Sequence, residues 1–295
     1  MSKRTMKRRA LTRPDLNYFR WRYLRNGRRT YQAWQARKFR SEPVAKVARE
    51  IAERGIVIGP ADQFLSPEGR RALAEASASI LELSRSEEVL AAVIGKGAKN
   101  GKDYLVRLVP WEQEHSAESA LIRLGLDQTL LETVAAYLGM WPRLHAVGAW
   151  LNFPTENEAK EAQLWHRDPE DLRTIKVFIY LDDVNEENGP FCYIPGTHPF
   201  SSGAGIVPAH KHKKRILDEE MIGAFPQESW LTCTGPANTM IIADTVGFHR
   251  GGKPKQSNRI LITFTYTSGT PLVKRVLQIS GQPTWIRHPI QSFAL

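Results

Sequence analysis

The sequence predicts a mainly β chain with flanking helices, an α+β arrangement in which the strands form a sandwich or open barrel. Three observations carry this. Helical periodicity is confined to the first half of the chain. From Leu144 onward, seven short extended segments follow one another between Gly- and Pro-rich turns. The chain has 295 residues, 42% of them hydrophobic and 9% aromatic, enough to bury one sizeable core. Helices first and strands after them give sheets braced by helices.

Residues 14–40 read as two short helices, one opened by Pro14 and ended by Asn26-Gly27, the second around Thr30–Arg40. A helix over Pro43–Arg54 stops at Gly55, and Gly55-Ile56-Val57-Ile58 follows as a short buried strand. Ser66-Pro67-Glu68 is a cap followed by proline, opening one helix through about Val93. Asp103–Val109 is strand-like, and Asp127–Leu138 is a capped helix closed by Gly139. The later strands are 144–153, 163–167, 173–181, 190–194, 229–233, 238–243 and 258–267. Segments 95–102, 154–162 and 199–226 are loops, the last long enough for a lid or substrate-binding element.

Net charge is +10, but residues 1–40 alone carry +13 and the remaining 255 residues −3. The high isoelectric point therefore belongs to a basic, aromatic-rich arm, 1–40, and not to the domain 41–295. Within the arm, Tyr18, Phe19, Trp21, Tyr23, Tyr31 and Trp34 alternate with arginines. Such interleaving suits an anionic partner, a membrane surface or nucleic acid. The simpler expectation is an arm that packs its aromatics on the domain and leaves its arginines in water. No apolar run reaches the ~18 residues of a membrane span. Two cysteines, Cys192 and Cys233, at no metal-finger spacing point to buried thiols in a reducing cytoplasm.

The chemistry concentrates in Leu164-Trp165-His166-Arg167-Asp168-Pro169, Phe248-His249-Arg250-Gly251-Gly252 and Arg259. In an extended segment His166 and Asp168 leave the same face, and a distant strand can bring His249 to it. Two imidazoles and one carboxylate on one side of a metal leave the other side open, the ligand set of non-heme Fe(II) oxygenases. Arg259, ten residues past His249, offers a planar, permanently charged fork for the carboxylate of an acid co-substrate. Along 173–181, alternation places Thr174, Lys176, Phe178 and Tyr180 on one half-polar face. Lys176, Tyr180 and Gln163, which precedes the first histidine motif, are the further candidates for contact with oxoacid or substrate. Each has an ordinary hydrogen-bonding role as its alternative. Asp244 is a candidate partner for the His249 ring. His115, His145 and His288 read as structural, His198 as a turn-fixing residue, and His210/His212 as part of a solvated basic loop.

These strings, together with Asn188-Gly189-Pro190-Phe191 and Ile194-Pro195-Gly196-Thr197-His198, resemble the phytanoyl-CoA dioxygenase family of Fe(II)/2-oxoglutarate oxygenases. Order and approximate spacing match over roughly residues 50–268. The resemblance implies a double-stranded β-helix, or jelly roll, with iron inside one mouth. It implies His166, Asp168 and His249 as metal ligands and Arg259 as the partner of the far carboxylate of 2-oxoglutarate. With O2, the oxoacid would be decarboxylated to succinate and CO2 while a C–H bond of a small-molecule or lipid-like substrate is hydroxylated or otherwise oxidised. The carboxylate at Asp168 argues against the halogenating branch, which has a small residue there. One departure is Gly251-Gly252, where the family often has a small polar residue. Thr263 or Tyr266 is the expected substitute in the oxoacid pocket. Two other readings stand beside this: a catalytically silent jelly-roll binding or scaffold protein, and an oxygenase tethered to nucleic acid or membrane by its arm.

Overall fold

The structure, a computed structural model, describes residues 13–95, 103–109, 115–206, 214–274 and 277–295, with side chains from residue 16 onward. The basic loop at His210 and His212 and most of loop 95–102 lie outside the described residues. In the arm, α1 (Arg13–Phe19) runs into a π-helical stretch, Arg20–Arg25, and α2 (Gly27–Ala36) follows. The π turn ends where the Asn26 side-chain amide donates to the Trp21 carbonyl at 2.8 Å, replacing a backbone N–H as partner.

Helix α3 (Glu42–Arg54) has proline in its first turn and stops at Gly55, whose φ of +81° suits a residue without a side chain. The single helix expected over Ser66–Val93 is two: α4 (Pro67–Leu83) and α5 (Glu87–Gly95). The break has a local cause. Ser84 Oγ donates to the Leu81 carbonyl at 2.8 Å, and Ser86 Oγ accepts from Val89 N–H at 3.3 Å. Two serines thus offer the backbone alternatives to helical bonds. A short α6 (Ala120–Gly125) leads into α7 (Gln128–Leu138), capped by Asp127, which accepts from Leu130 N–H at 2.9 Å.

The strands are β1 (Ile56–Pro60), β2 (Leu105–Arg107), β3 (Arg143–Asn152), β4 (Ile175–Tyr180), β5 (Phe191–Tyr193), β6 (Leu231–Cys233), β7 (Thr239–Asp244), β8 (His249–Gly251) and β9 (Arg259–Thr267). They form a six-stranded sheet, β1-β7-β4-β9-β3-β2, and a three-stranded sheet, β6-β5-β8, antiparallel throughout. Trp165 and His166 extend the smaller sheet, bridging to Ile216 and His249. The fold is the double-stranded β-helix, with helices covering the outer face of the larger sheet. Ile175, Val177 and Ile179 of β4 and Ile260, Ile262 and Phe264 of β9 belong to the core shared with those helices. Tyr180, Ile241, Ala243 and Leu261 pack instead with Phe191, Tyr193 and Cys233 between the sheets. The larger sheet is therefore covered on both faces, which is why the middle of β7, residues 240–243, reads as an uninterrupted apolar run. Both cysteines are buried free thiols. A final short helix, α8 (Asp218–Ile222), lies inside the segment expected as loop 199–226, and α9 (Pro289–Ala294) ends the chain.

The arm is seated by polar groups as much as by apolar ones. Trp21 is buried, its indole N–H within 2.8 Å of Asp171 Oδ1 and 3.1 Å of Ser268 Oγ. Asn26, Thr30 and Ala33 are buried on the same side, and Arg29 donates to the Trp141 and Pro142 carbonyls. The expectation that the arm's aromatics all pack on the domain needs correction. Tyr18 is half-buried, and Phe19, Tyr23, Tyr31 and Trp34 remain exposed. Among the described residues no helix is long and apolar enough to cross a membrane.

Candidate metal and oxoacid site

His166 and His249 face each other because their backbones form a reciprocal antiparallel pair. His166 N–H donates to the His249 carbonyl at 2.9 Å, and His249 N–H to the His166 carbonyl at 3.1 Å. Residues directly opposite in such a pair project to the same face, and here the ring centroids are 4.2 Å apart. Asp168 is brought in by its own N–H, which donates to the Thr245 carbonyl at 2.8 Å. One ligating atom from each residue lies within 4.8 Å of the others. His166 Nε2 is 3.7 Å from Asp168 Oδ1 and His249 Nε2 is 3.4 Å from Oδ2. These separations are looser than direct hydrogen bonds. They suit donors sharing one ion at bond lengths of roughly 2.0–2.2 Å.

Each imidazole is oriented by a carbonyl two residues upstream. His166 Nδ1 lies 2.8 Å from the Leu164 carbonyl, and His249 Nδ1 lies 3.0 Å from that of Gly247. A carbonyl only accepts, so Nδ1 carries the proton and Nε2 presents its lone pair. Burial, reinforced by the neighbouring His249, pushes His166 down to about 2, and burial also lowers His249. Burial would raise the Asp168 carboxyl. The Lys176 ammonium at 2.6 Å, with the two imidazoles, outweighs that and holds it below the ordinary carboxylate range. Two neutral imidazoles and an ionised carboxylate are the state a divalent cation needs.

Asp244 does not touch the His249 ring. It is fully buried, accepts from Tyr137 Oη at 2.6 Å and from Val246 N–H at 3.0 Å, and so pins the turn that delivers β8 to α7. Burial pushes its pKa up to about 6.

A cavity of about 1400 Å³ opens between the sheets and contains His166 and His249 in its wall. Alternation along the larger sheet lines it with Lys176, Phe178 and Tyr180 of β4 and with Arg259, Leu261, Thr263 and Thr265 of β9. Arg259 is 5% exposed, and among the described residues its Nε and Nη1 have no hydrogen-bond partner. Gly251 lines the cavity beside the guanidinium, and a Cβ there would make an ordinary contact with Arg259 Nη2 at 3.4 Å. Gly252 is required, because a Cβ would meet the Pro190 carbonyl at 2.6 Å.

The remaining candidates are placed differently. Lys176 is paired with Asp168 and, at 3.4 Å, with Glu170. The Tyr180 hydroxyl donates to the Cys233 carbonyl and accepts from Phe191 N–H, so it offers the cavity a ring rather than a free hydroxyl. Gln163 is buried beside the first histidine, its Oε1 accepting from Lys160 N–H, while its neighbour Ala162 lines the cavity. Thr263 lines the cavity and accepts from the Trp150 indole at 3.0 Å. Tyr266 faces the helices and donates to the Gly125 carbonyl, so it does not complete the pocket. His198 fixes its turn through the Ala52 carbonyl, and His288 caps α9. His115 and His145, read as structural, line the cavity, as do Trp150 and Glu170. A bulge between Leu144 and Ala146 breaks the alternation of β3, so no period-two pattern marks His145.

The family model for phytanoyl-CoA dioxygenase (PhyH) matches residues 53–240, a span that holds His166 and Asp168 and ends before His249 and Arg259. The chain belongs to the phytanoyl-CoA dioxygenase family. It is a non-heme oxygenase that uses Fe(II), 2-oxoglutarate and O2. Among solved structures it is similar to EctD from S. alaskensis with bound Fe, at 18% identity over 80% of this chain and 79% of that one, TM-score 0.48. It is also similar to HygX from Streptomyces hygroscopicus, solved with nickel, 2-oxoglutarate and hygromycin B. There the identity is 16% over 76% of this chain and 87% of that one, TM-score 0.47. The nogalamycin-biosynthesis epimerase SnoN is 16% identical over 83% of this chain and 92% of that one, TM-score 0.45. No curated protein matches the sequence.

Proposed function

We propose that His166, Asp168 and His249 hold the Fe(II) of this oxygenase and that Arg259 receives the distal carboxylate of 2-oxoglutarate. Bound there, Fe(II) with 2-oxoglutarate and O2 would supply the oxidising power, with succinate and CO2 as by-products and a hydroxylated or otherwise oxidised small molecule or lipid-like compound as product. The supporting observation is the convergence of three buried donors from two distant segments, within 4.8 Å of one another, two of which, His166 and His249, stand in the wall of a cavity that also contains Arg259.

The chain's own groups have separable tasks. The Leu164 and Gly247 carbonyls keep both rings in one tautomer and aim. Lys176 keeps the Asp168 carboxylate ionised and oriented, a positioning task that replaces direct contact with the oxoacid. Arg259 supplies charge and a fork of which two nitrogens, Nε and Nη1, have no hydrogen-bond partner among the described residues. Phe178, Trp150 and Leu261 give the cavity apolar walls that exclude water from the reacting C–H bond. On this reading the substrate enters the same cavity, and the basic arm provides contact with an anionic surface outside it. Residues 1–40 and 41–295 then act as docking arm and catalytic domain.

Anaerobic titration with Fe(II) and 2-oxoglutarate tests the assignment through the visible charge-transfer absorption of an iron-chelated oxoacid. The native chain should develop the band, while His166→Ala and His249→Ala should lose at least about 100-fold in metal affinity. Unchanged metal uptake in both variants would remove the triad from the site.

A further inference from the structure

The arm has two dissimilar faces. Trp21, Asn26, Thr30 and Ala33 are buried, and the inner face is tied down through Asp171, Ser268, Thr270 and the carbonyls at Trp141 and Pro142. At helical spacing on the other side stand Leu16, Phe19, Tyr23, Leu24, Tyr31 and Trp34, all exposed, with Phe39 beyond them. Leu24 is 70% exposed and Phe39 87%. Neighbours in this set are already arranged: Phe19 lies against Tyr23, Tyr31 stacks on Trp34, and the Arg37 guanidinium sits 4.5 Å over the Trp34 ring. A seated helix pair that leaves this much apolar surface in water displays it on a rigid support.

The charge on that support is almost entirely of one sign, Asp15 being the single acidic residue from the start of α1 to Phe39. Residues 16–40 carry eight Lys or Arg and no Asp or Glu. Arg20, Arg25, Arg28, Arg37 and Lys38 are exposed among the aromatics. A second copy of the chain would bring like charges together, which opposes self-association. Nucleic acid satisfies the cations and can stack on aromatic rings, but it has no use for Leu16, Leu24 or a protruding Phe39. An anionic bilayer satisfies all three kinds of group: phosphates for the cations, the interface for Trp and Tyr, and the acyl boundary for Leu and Phe.

We propose that the exposed face of α1, the π stretch and α2, with Phe39, docks this oxygenase on an anionic phospholipid surface. The proposal does not depend on the metal assignment, and its test needs no turnover. Full-length protein is co-sedimented with phosphatidylcholine vesicles and with vesicles in which roughly a third of the lipid is phosphatidylglycerol. Binding is expected to the anionic vesicles, weakened by salt. Two variants separate the contributions, each altering exposed positions away from the cavity. Neutralising Arg20, Arg25, Arg37 and Lys38 to Gln should reduce partitioning by up to roughly 1000-fold at low salt. Leu24→Ser with Trp34→Ser and Phe39→Ser should weaken binding at every salt concentration and abolish the shift of tryptophan emission on vesicle addition. Absence of binding to anionic vesicles would overturn the proposal. So would unchanged binding in the serine variant, which marks a purely electrostatic surface, or preferential binding of duplex DNA or RNA over the vesicles.

Discussion

Arg259 offers the sharpest perturbation because two of its properties pull in opposite directions. It is 5% exposed, and its Nε and Nη1 lack partners among the described residues. Burial lowers its pKa, yet a guanidinium stays charged at neutral pH. Each buried donor left unsatisfied costs about 1–3 kcal/mol. Arg259→Met removes both donors while keeping an unbranched apolar stem, so the variant without oxoacid should be more stable by at least the cost of one of them, about 1–3 kcal/mol. At roughly 2–4 °C per kcal/mol for large single domains, the melting temperature should rise by a few degrees. On the proposed assignment the same change removes a charged fork from the oxoacid. Truncating one partner of a buried charge pair costs about 2–5 kcal/mol, a loss of roughly 30- to 5000-fold in 2-oxoglutarate affinity. Calorimetry with Ni(II)-loaded protein measures the second quantity and a melt of the apo protein the first, while Ni(II) uptake itself should change little. A variant that melts lower and binds 2-oxoglutarate normally would refute the reasoning, because Arg259 would then be a structural residue.

Lys176→Met strips the cation from a buried carboxylate, so the metal-free protein should lose about 3–5 kcal/mol. Ni(II) should restore a larger share of stability than in the native chain, read by denaturant unfolding with and without the ion. Stability of the metal-free protein should also fall on acidification. The folded His166 titrates near 2 and His249 is lowered as well, both below the unfolded value of about 6.5, so below that pH the unfolded chain takes up protons that the folded one refuses. The contribution is up to about 1.4 kcal/mol per pH unit for each histidine, and urea unfolding of His166→Gln should show a correspondingly shallower dependence between pH 7 and 5. Gly189→Ala should destabilise by about 2 kcal/mol or more. The position has φ +65°, and a Cβ would press on the Lys253–Pro254 backbone, displacing the segment that follows β8. Thermal melts check this, with weaker metal uptake as the accompanying readout.

The helix signals in the chain are local and were readable as such. Gly55 and Gly139 end α3 and α7 through positive φ, Asp127 caps α7, and Ser66 caps α4. The division of α4 from α5 escaped because serines at 84 and 86 read as tolerable helix residues until their hydroxyls are seen bonded to the backbone. Strand β8 was expected only through His249 and without bounds, because its three residues, none of them a strong β-former, carry no periodic signal, and their pairing partners are β5 and His166. The rank order of second-line candidates was not readable at all. Lys176, Phe178 and Tyr180 do share a face, as alternation requires, but alternation says nothing of where a hydroxyl or ammonium finds its partner. The Cys233 carbonyl takes one and Asp168 the other.

Composition, turn chemistry and short motifs thus establish a helix-braced β fold, a basic arm and the residues His166, Asp168, His249 and Arg259 as chemically special, because these depend on residue type and near-neighbour spacing. Long-range packing alone decides that the two histidines become direct cross-strand partners, that Tyr266 faces the helices, and that Trp21 goes under while Trp34 stays in water. Those outcomes rest on which faces of distant segments find each other, and the free energy of such contacts belongs to the assembled sheets, not to any stretch of chain taken singly.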